Sequence, residues 1–340
     1  METRDFEIIR KGISNWNMYR DRSILVTGAT GRLGRYIVET LVDVDIKYNL
    51  NLRVIGMARS KNKAFETFGN LLEFPNVSFI YQDVNNSIEY NGQVDYIFHT
   101  AGPAAPMDYK RSTVDVLWAH VNGTHNVLEF ARLHNTKKIF YVSTVEIYGE
   151  QKTDEKITEN FMGPLQHLKS RSCYPEAKRL CETMLTCYKE DYGIDFCGVR
   201  LCHTLAAGIA LDDGRGFAEF IACALEGKDI LLHSDGSAMR TYTYTPDAVN
   251  AFFLIMERGE NGVMYNVAAE NNLISIRDLA QLIAKLSPKR TTKVIFSHEA
   301  SNMPYLPFKL AIMDTTKIRE LGWEPQTSLE NMFRWTIESF

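Results

Sequence analysis

Gly28-Ala-Thr-Gly31-Arg-Leu-Gly34 lies between an apolar run, Ser23-Ile-Leu-Val-Thr27, and an amphipathic one, Leu33-Gly-Arg-Tyr-Ile-Val-Glu-Thr-Leu-Val42. The first run reads as a buried strand and the second as a helix, so the glycines occupy a strand-to-helix turn. There each glycine has a task. Gly28 permits the tight turn, Gly31 lets a pyrophosphate approach the backbone, and Gly34 lets helix and strand pack closely. Arg32 and Leu33 open the helix, whose free N–H groups suit phosphate. The stretch predicts a dinucleotide site.

Working outward, short β-rich runs alternate with helical periodicity. Strands are expected at Ser23–Thr27, Leu52–Met57, Val77–Ile80, Tyr96–His99, Lys138–Ser143 and Asp195–Arg200, with helices near Leu33–Val44, Ala64–Leu72, Val114–His134 and Tyr174–Tyr192. This alternation predicts an α/β fold, a doubly wound parallel (Rossmann) sheet with ligands at the strands' carboxyl ends. Residues 1–20 form an N-terminal extension holding Trp16, Met18 and Tyr19, expected to pack on the body. Residues 21–200 make the dinucleotide-binding domain. The rhythm changes after Arg200, and residues 201–340 read as a smaller α/β substrate-binding lobe, with about 240–260 returning to the first domain. Thr245-Pro246-Asp247 and Ser275 look like helix starts.

Tyr174-Pro-Glu-Ala-Lys178 supplies the chemistry. A Tyr and a Lys at i, i+4 share a helix face, where the ammonium is expected to lower the phenol's pKa toward neutrality. Such a pair beside a nicotinamide cofactor implies redox catalysis. Thr144, ending Tyr141-Val-Ser-Thr144, is placed to hold a substrate oxygen beside Tyr174. Glu146 suits acid/base work or a sugar hydroxyl, with an ion pair to a neighbouring Arg as the plainer reading. Ala58-Arg59-Ser60-Lys61 follows the second strand with no acid, so Arg59 suits the 2′-phosphate of NADP; a solvated basic loop would look the same, and NAD stays open. Asp83 and Val84 are placed to meet the adenine, or to end a strand at the surface. Small residues in His99-Thr100-Ala101-Gly-Pro-Ala-Ala-Pro106 let the backbone run beside the cofactor. His99 itself reads as structural, and Asn122 as a hydrogen bond across the sheet. Arg240, Tyr242 and Tyr244 alternate onto one face, offering an anion fork and a stacking surface for a base. Arg215 is a second anion contact or a solvated partner of Asp213.

The chain has 340 residues and a formal charge of -4, which gives no polybasic reason to expect nucleic acid or an anionic membrane as partner. Six cysteines lack C-x-x-C spacing and no His/Cys cluster suggests a metal. No signal-like or membrane-spanning stretch is evident, so a cytoplasmic protein with reduced thiols is expected.

With these residues in view, the chain resembles the extended short-chain dehydrogenase/reductase family (NAD-dependent epimerase/dehydratase) that acts on nucleotide sugars, from Ser23 to Phe340. Within it the UDP-glucuronate decarboxylase subgroup is most similar. The resemblance is carried by His99 to Pro106, Arg171-Ser-Cys-Tyr-Pro-Glu-Ala-Lys-Arg179, Asp213-Gly-Arg215 and Asp235-Gly-Ser-Ala-Met-Arg240. It implies Thr144, Tyr174 and Lys178 as catalytic triad, Glu146 as a substrate-facing acid/base, Arg240 as ligand for the substrate anion, and a homodimer formed through Val114–His134 and Tyr174–Tyr192. The implied chemistry is oxidation at C4 of a nucleotide sugar, followed by decarboxylation, elimination or inversion, with hydride return. Three departures stand out. Val145 replaces the subgroup's Ser and the dehydratases' Asp, so it cannot protonate a leaving hydroxyl. His203-Thr-Leu-Ala-Ala-Gly208 replaces Asn-Thr-Tyr-Gly-Pro in a loop that touches sugar and phosphate. Leu310-Ala-Ile-Met-Asp314 replaces an Arg-Lys-Pro-Asp segment that clamps the diphosphate. These keep a 4-epimerase or 4-ketoreductase in play, and, from another class, a catalytically silent cofactor-binding regulator.

Overall fold

The computed structural model describes residues 1–153, 155–296 and 312–340. The chain runs α1 (Thr3–Arg10), a 3-10 turn (Trp16–Tyr19), β1 (Ser23–Thr27), α2 (Arg32–Tyr48), β2 (Arg53–Ala58), α3 (Lys61–Phe68), β3 (Val77–Tyr81), β4 (Tyr96–His99), α4 (Pro106–Arg111), α5 (Thr113–Leu133), β5 (Lys138–Thr144), α6 (Cys173–Tyr192) and β6 (Asp195–Leu201). It continues through β7 (His203–Leu205), α7 (Gly216–Glu226), β8 (Ile230–Leu232), β9 (Met239–Tyr244), α8 (Thr245–Arg258), β10 (Val263–Val267), β11 (Leu273–Ser275), α9 (Ile276–Leu286), β12 (Val294–Phe296), α10 (Thr316–Glu320) and α11 (Leu329–Glu338).

Seven strands form one parallel sheet in the order β10-β6-β5-β4-β1-β2-β3. The six expected strands are all in it, each within a residue or two of its expected bounds. The seventh, β10, extends the β6 edge in register Val263↔Cys197 to Val267↔Leu201. Near-continuous burial of β1, β5 and β6 follows from helices on both faces. Two small sheets, β11-β9-β7 and β12-β8, lie outside it.

The leading segment packs on the body as expected. Trp16 and Tyr19 are buried, and the Trp16 ring lies 5.1 Å from that of Phe253 on α8. Asp5 accepts from the hydroxyl of Tyr244 at 2.8 Å, and Asn250 Nδ2 donates to the carbonyls of Ile9 and Lys11 at 2.8 Å each. Helix α8 therefore has protein on every side: twelve of its fourteen residues are buried. It begins as expected with Pro in its first turn, but Tyr244, not Thr245, is its cap, and Asp247 reaches outward to the backbone N–H groups of Gln326 and Thr327. Ser275 caps α9 by accepting from the Asp278 N–H at 3.0 Å.

A buried network ties the sheet edge to neighbouring segments. Asn266 on β10 accepts from Tyr148 Oη at 2.5 Å and donates to the carbonyls of Ile157 and Asp314. Arg200 joins Tyr148 to a Glu182 ion pair. No described helix is long and apolar enough to cross a membrane.

Candidate active site

In the parallel register Thr27 faces His99, and His99 faces Tyr141, so the carboxyl ends of β1, β4 and β5 lie together. The glycine turn sits at this edge. Gly28 has φ +66°, and a Cβ there would stand 2.8 Å from Ala101 Cα. One on Gly34 would overlap the Gly28 carbonyl and meet Ala29 Cα at 2.8 Å. Gly31 caps α2 with no side-chain bond, leaving the first N–H groups of the helix to a ligand. This cradle fits a dinucleotide's diphosphate. Thr100 Oγ1 donates to the Thr27 carbonyl at 2.7 Å and the Ala101 N–H to Thr27 Oγ1 at 3.3 Å, holding the β4 loop against the turn. Leu33 packs partly buried against the core. Val84 lies under Gly123, and Asp83 caps the Asn85 N–H at 2.9 Å. Arg59 is 82% exposed, with Nη1 3.9 Å from Asp83, a pair worth little in water.

Tyr174 and Lys178 share a face of α6, each 6% exposed. Lys178 Nζ donates to the Val142 carbonyl at 2.7 Å and lies 4.6 Å above the Tyr141 ring. Thr144 sits beside the Tyr174 phenol, and its Oγ1 accepts from the Glu146 N–H at 3.3 Å. One expectation fails here. Burial first, and the Glu146 charge second, push the Tyr174 phenol up rather than down, with Thr144, Arg215 and Arg171 opposing. Lys178 is not among the largest influences on it; burial lowers Lys178 itself to about 8.

Glu146 is ion-paired: Arg171 Nη2 donates to Oε1 at 3.0 Å, so the plainer of its two readings holds in this geometry. The Arg171 guanidinium lies 4.4 Å over the ring of Tyr109, which stacks on Tyr174 at 5.4 Å. The His120 ring is 5.2 Å from Tyr174 and bonds the Pro103 carbonyl. Sequence reasoning assigned no role to Tyr109, His120 or Arg171. Only Arg171 carried a signal, its place two residues before Cys173-Tyr174. His99 is structural as expected, bonded to Thr27 and Thr124 and kept neutral by burial, its pKa lowered to about 3. Among the described residues Asn122 makes no side-chain hydrogen bond across the sheet, contrary to expectation; Asn126 on the same helix donates to the Val84 carbonyl in the loop after β3 at 2.8 Å.

On the substrate side, His203 and Arg240 line one cavity with Val145, Cys202, Ala268 and Met313. Tyr242 is placed differently from expectation. It is buried between His203, Phe217 and Phe333, behind the cavity wall, where no base could stack on it. Arg215 Nη1 pairs with Asp213 at 2.9 Å, and Nη2 donates to the Ala104 carbonyl. Of the C-terminal segment that departs from the family pattern, Leu310 and Ala311 lie outside the described residues.

Residues 24–268 match the family described as NAD dependent epimerase/dehydratase. UDP-glucuronic acid decarboxylase 6 of Arabidopsis thaliana is 30% identical over 319 residues, spanning 93% of this chain and 88% of the relative. UDP-glucuronic acid decarboxylase 1 of Danio rerio is 28% identical, over 94% of this chain and 73% of the relative. Among solved structures, a UDP-glucose 4-epimerase from Thermotoga maritima superposes with a TM-score of 0.79 at 24% identity, covering 94% of this chain and 98% of that one. A dTDP-glucose 4,6-dehydratase from Bacillus anthracis gives 0.73 at 19% identity, covering 94% and 96%. At these identities the two structures speak for the fold. A match over residues 24–268, carried through to a relative 30% identical along 93% of the chain, makes this protein a member of the NAD dependent epimerase/dehydratase family.

Proposed function

We propose that the protein oxidises a nucleotide-activated sugar at C4, with decarboxylation of a UDP-uronate as the specific reaction. The observation that carries this reading is Tyr174 set beside Thr144 at the end of β5, with Lys178 buried on the same helix face, next to the glycine cradle. Tyr174 takes the proton of the 4-hydroxyl and Thr144 orients that oxygen. Lys178 holds positive charge next to the site, and Glu146, steadied by Arg171, faces the sugar. When bound, the nicotinamide dinucleotide supplies the hydride acceptor and donor. The 4-ketone makes the uronate a β-keto acid, which loses CO2 by breaking the C5–C6 bond. Arg240 and His203 meet the substrate's anionic part. Arg32 and Leu33 at the helix opening, Val84, Thr100 and Ala101 contact the cofactor. Arg59 supports NADP over NAD. The chain's relatives named as UDP-glucuronic acid decarboxylases support the substrate class.

A 4-epimerase or 4-ketoreductase is the second reading, favoured by buried Val145, since neither reaction needs a second acid there. Mass spectrometry of UDP-glucuronate incubated with protein and cofactor decides. CO2 release that requires Glu146 and Arg240 is expected, and no dehydration of dTDP-glucose. If Glu146→Gln and Arg240→Ala both left CO2 release unchanged, the assignment would be wrong. If the wild type bound UDP-glucuronate without releasing CO2, the second reading replaces the first. We place residues 21–200 in the nucleotide-binding lobe and 201–340 in the substrate lobe, with α8 and β10 returning to the first. We also assign a homodimer joined through α5 and α6, which leave Trp118 48% and Leu180 47% exposed. Light scattering at the monomer mass would remove that assignment.

A further inference from the structure

His120 on α5 sits between Tyr174 and the loop that follows β4. Its carbonyl accepts from Cys181 Sγ at 3.3 Å, and Cys181 lies two turns on from Tyr174, on the same face of α6. The His120 side chain is buried, and its ring is 5.2 Å from that of Tyr174, tilted by 58°. Nε2 meets the Pro103 carbonyl at 2.9 Å, and a carbonyl only accepts, so Nε2 carries the proton. Burial, and the Lys178 charge after it, hold the imidazole well below its ordinary pKa, which leaves Nδ1 bare.

The loop is shaped to this ring. Gly102 has φ +138°, and a Cβ there would stand 2.2 Å from His120 Cε1. The next carbonyl after Pro103, that of Ala104, accepts from Arg215 Nη2 at 3.0 Å, and the Met107 N–H donates to the Asp213 carbonyl at 3.1 Å. Successive carbonyls are thus taken by donors from α5 and from the 213–215 loop. The same backbone runs on into α4, where Tyr109 stacks on the Tyr174 ring at 5.4 Å. The two rings that flank Tyr174 are therefore joined through residues 103–109, and the bond from His120 to Pro103 closes that circuit.

Packing alone accounts for His99, whose two nitrogens both bond threonines and whose ring lies against Tyr141. His120 differs in what it touches. Proton transfer needs the phenol oxygen aimed at the 4-hydroxyl, and a misplacement of about 1 Å costs on the order of 100-fold in rate. We propose that His120 is a positioning residue, which keeps the Tyr174 phenol aimed by bonding the Pro103 carbonyl and bracing the Tyr174 ring. This rests on the reading of Tyr174 as the group that takes the 4-hydroxyl proton.

The test is steady-state kinetics on full-length His120→Phe, His120→Gln and wild type, with UDP-glucuronate and cofactor, alongside cofactor titration and thermal melts. Phe keeps a flat ring and removes the donor, whereas Gln keeps an N–H that reaches the carbonyl. The Phe variant should lose roughly tenfold or more in kcat, while the KM for the sugar nucleotide and the cofactor Kd stay within about threefold, the mark of an interaction felt in the transition state. The Gln variant should recover most of the lost kcat. A kcat in the Phe variant within about twofold of wild type overturns the proposal. So do equal losses in Phe and Gln, which would show that the N–H has no part. KM, cofactor affinity and Tm worsening together with kcat, or a Phe variant that does not fold, would make His120 a structural residue and overturn it as well. If wild type converted neither UDP-glucuronate nor any other sugar nucleotide offered, the nucleotide-sugar reading would fail and take this proposal with it, and that failure shows before any substitution is made.

Discussion

Replacing Tyr174 by Phe removes one oxygen and leaves the ring. The ring is 6% exposed, stacked on Tyr109 at 5.4 Å and tilted against His120 at 5.2 Å, and Phe keeps both contacts. The phenol's neighbour Thr144 still accepts from the Glu146 N–H, so stability should change by no more than about 1 kcal/mol. Turnover should not survive so well. The phenol is the group placed to move the 4-hydroxyl proton, and losing a positioned acid/base costs roughly 100-fold or more, about 2.7 kcal/mol of barrier. Steady-state rates by mass spectrometry, a urea melt and cofactor titration separate the two effects. Turnover within a few-fold of wild type, in a variant that folds and binds cofactor, would remove Tyr174 from the mechanism. Because Tyr174 is pushed up by burial and by Glu146, the Glu146→Gln variant should lower its pKa and move the rising limb of the pH–rate profile, where the phenol becomes able to take the proton, to lower pH.

Burial lowers Lys178 from 10.5 to about 8, so below pH 8 both folded and unfolded chains carry the ammonium. Between about 8 and 10.5 the unfolded state binds the extra proton, and wild type should gain roughly 1.4 kcal/mol per pH unit relative to Lys178→Met. Parallel urea-melt stabilities across that window would contradict this. Asn266→Ala should cost about 1–3 kcal/mol in urea unfolding, because it takes the acceptor from the buried Tyr148 O–H and one donor each from the carbonyls of Ile157 and Asp314, while Arg200 still donates to Tyr148 and the Asp314 N–H to Ile157; a loss near zero would show that water replaces it. NADP should bind more tightly than NAD, and Arg59→Ala should narrow the gap by about 1 kcal/mol, the small figure reflecting the side chain's exposure. Tighter binding of NAD in wild type would sink the assignment.

Local chemistry was readable where the cause is local. The glycine turn follows from steric limits within seven residues, and the Tyr174–Lys178 face from helix geometry alone. Strand β10 was missed because Val263-Met-Tyr-Asn-Val267 is short, carries buried Asn266, and pairs with β6, whose strand ends over sixty residues earlier. Alternation put Arg240 and Tyr242 on one face correctly, but whether a tyrosine there meets solvent depends on Phe217 and Phe333 from distant elements. The direction of the Tyr174 shift was misjudged for the same reason. Its burial comes from α4 and α5, and its opposing charge from Glu146, none of them within the i, i+4 pattern.

The central claim is that C4 of the sugar is oxidised and then reduced again at this site. Deuterium placed at C4 of UDP-glucuronate tests it most directly, with the enzyme and cofactor incubated briefly and both recovered for mass spectrometry. Label found transiently on the recovered cofactor and again at C4 of the product is the predicted result, and Tyr174→Phe should suppress both. A product formed with its C4 label never leaving carbon, and none on the cofactor, would contradict the account.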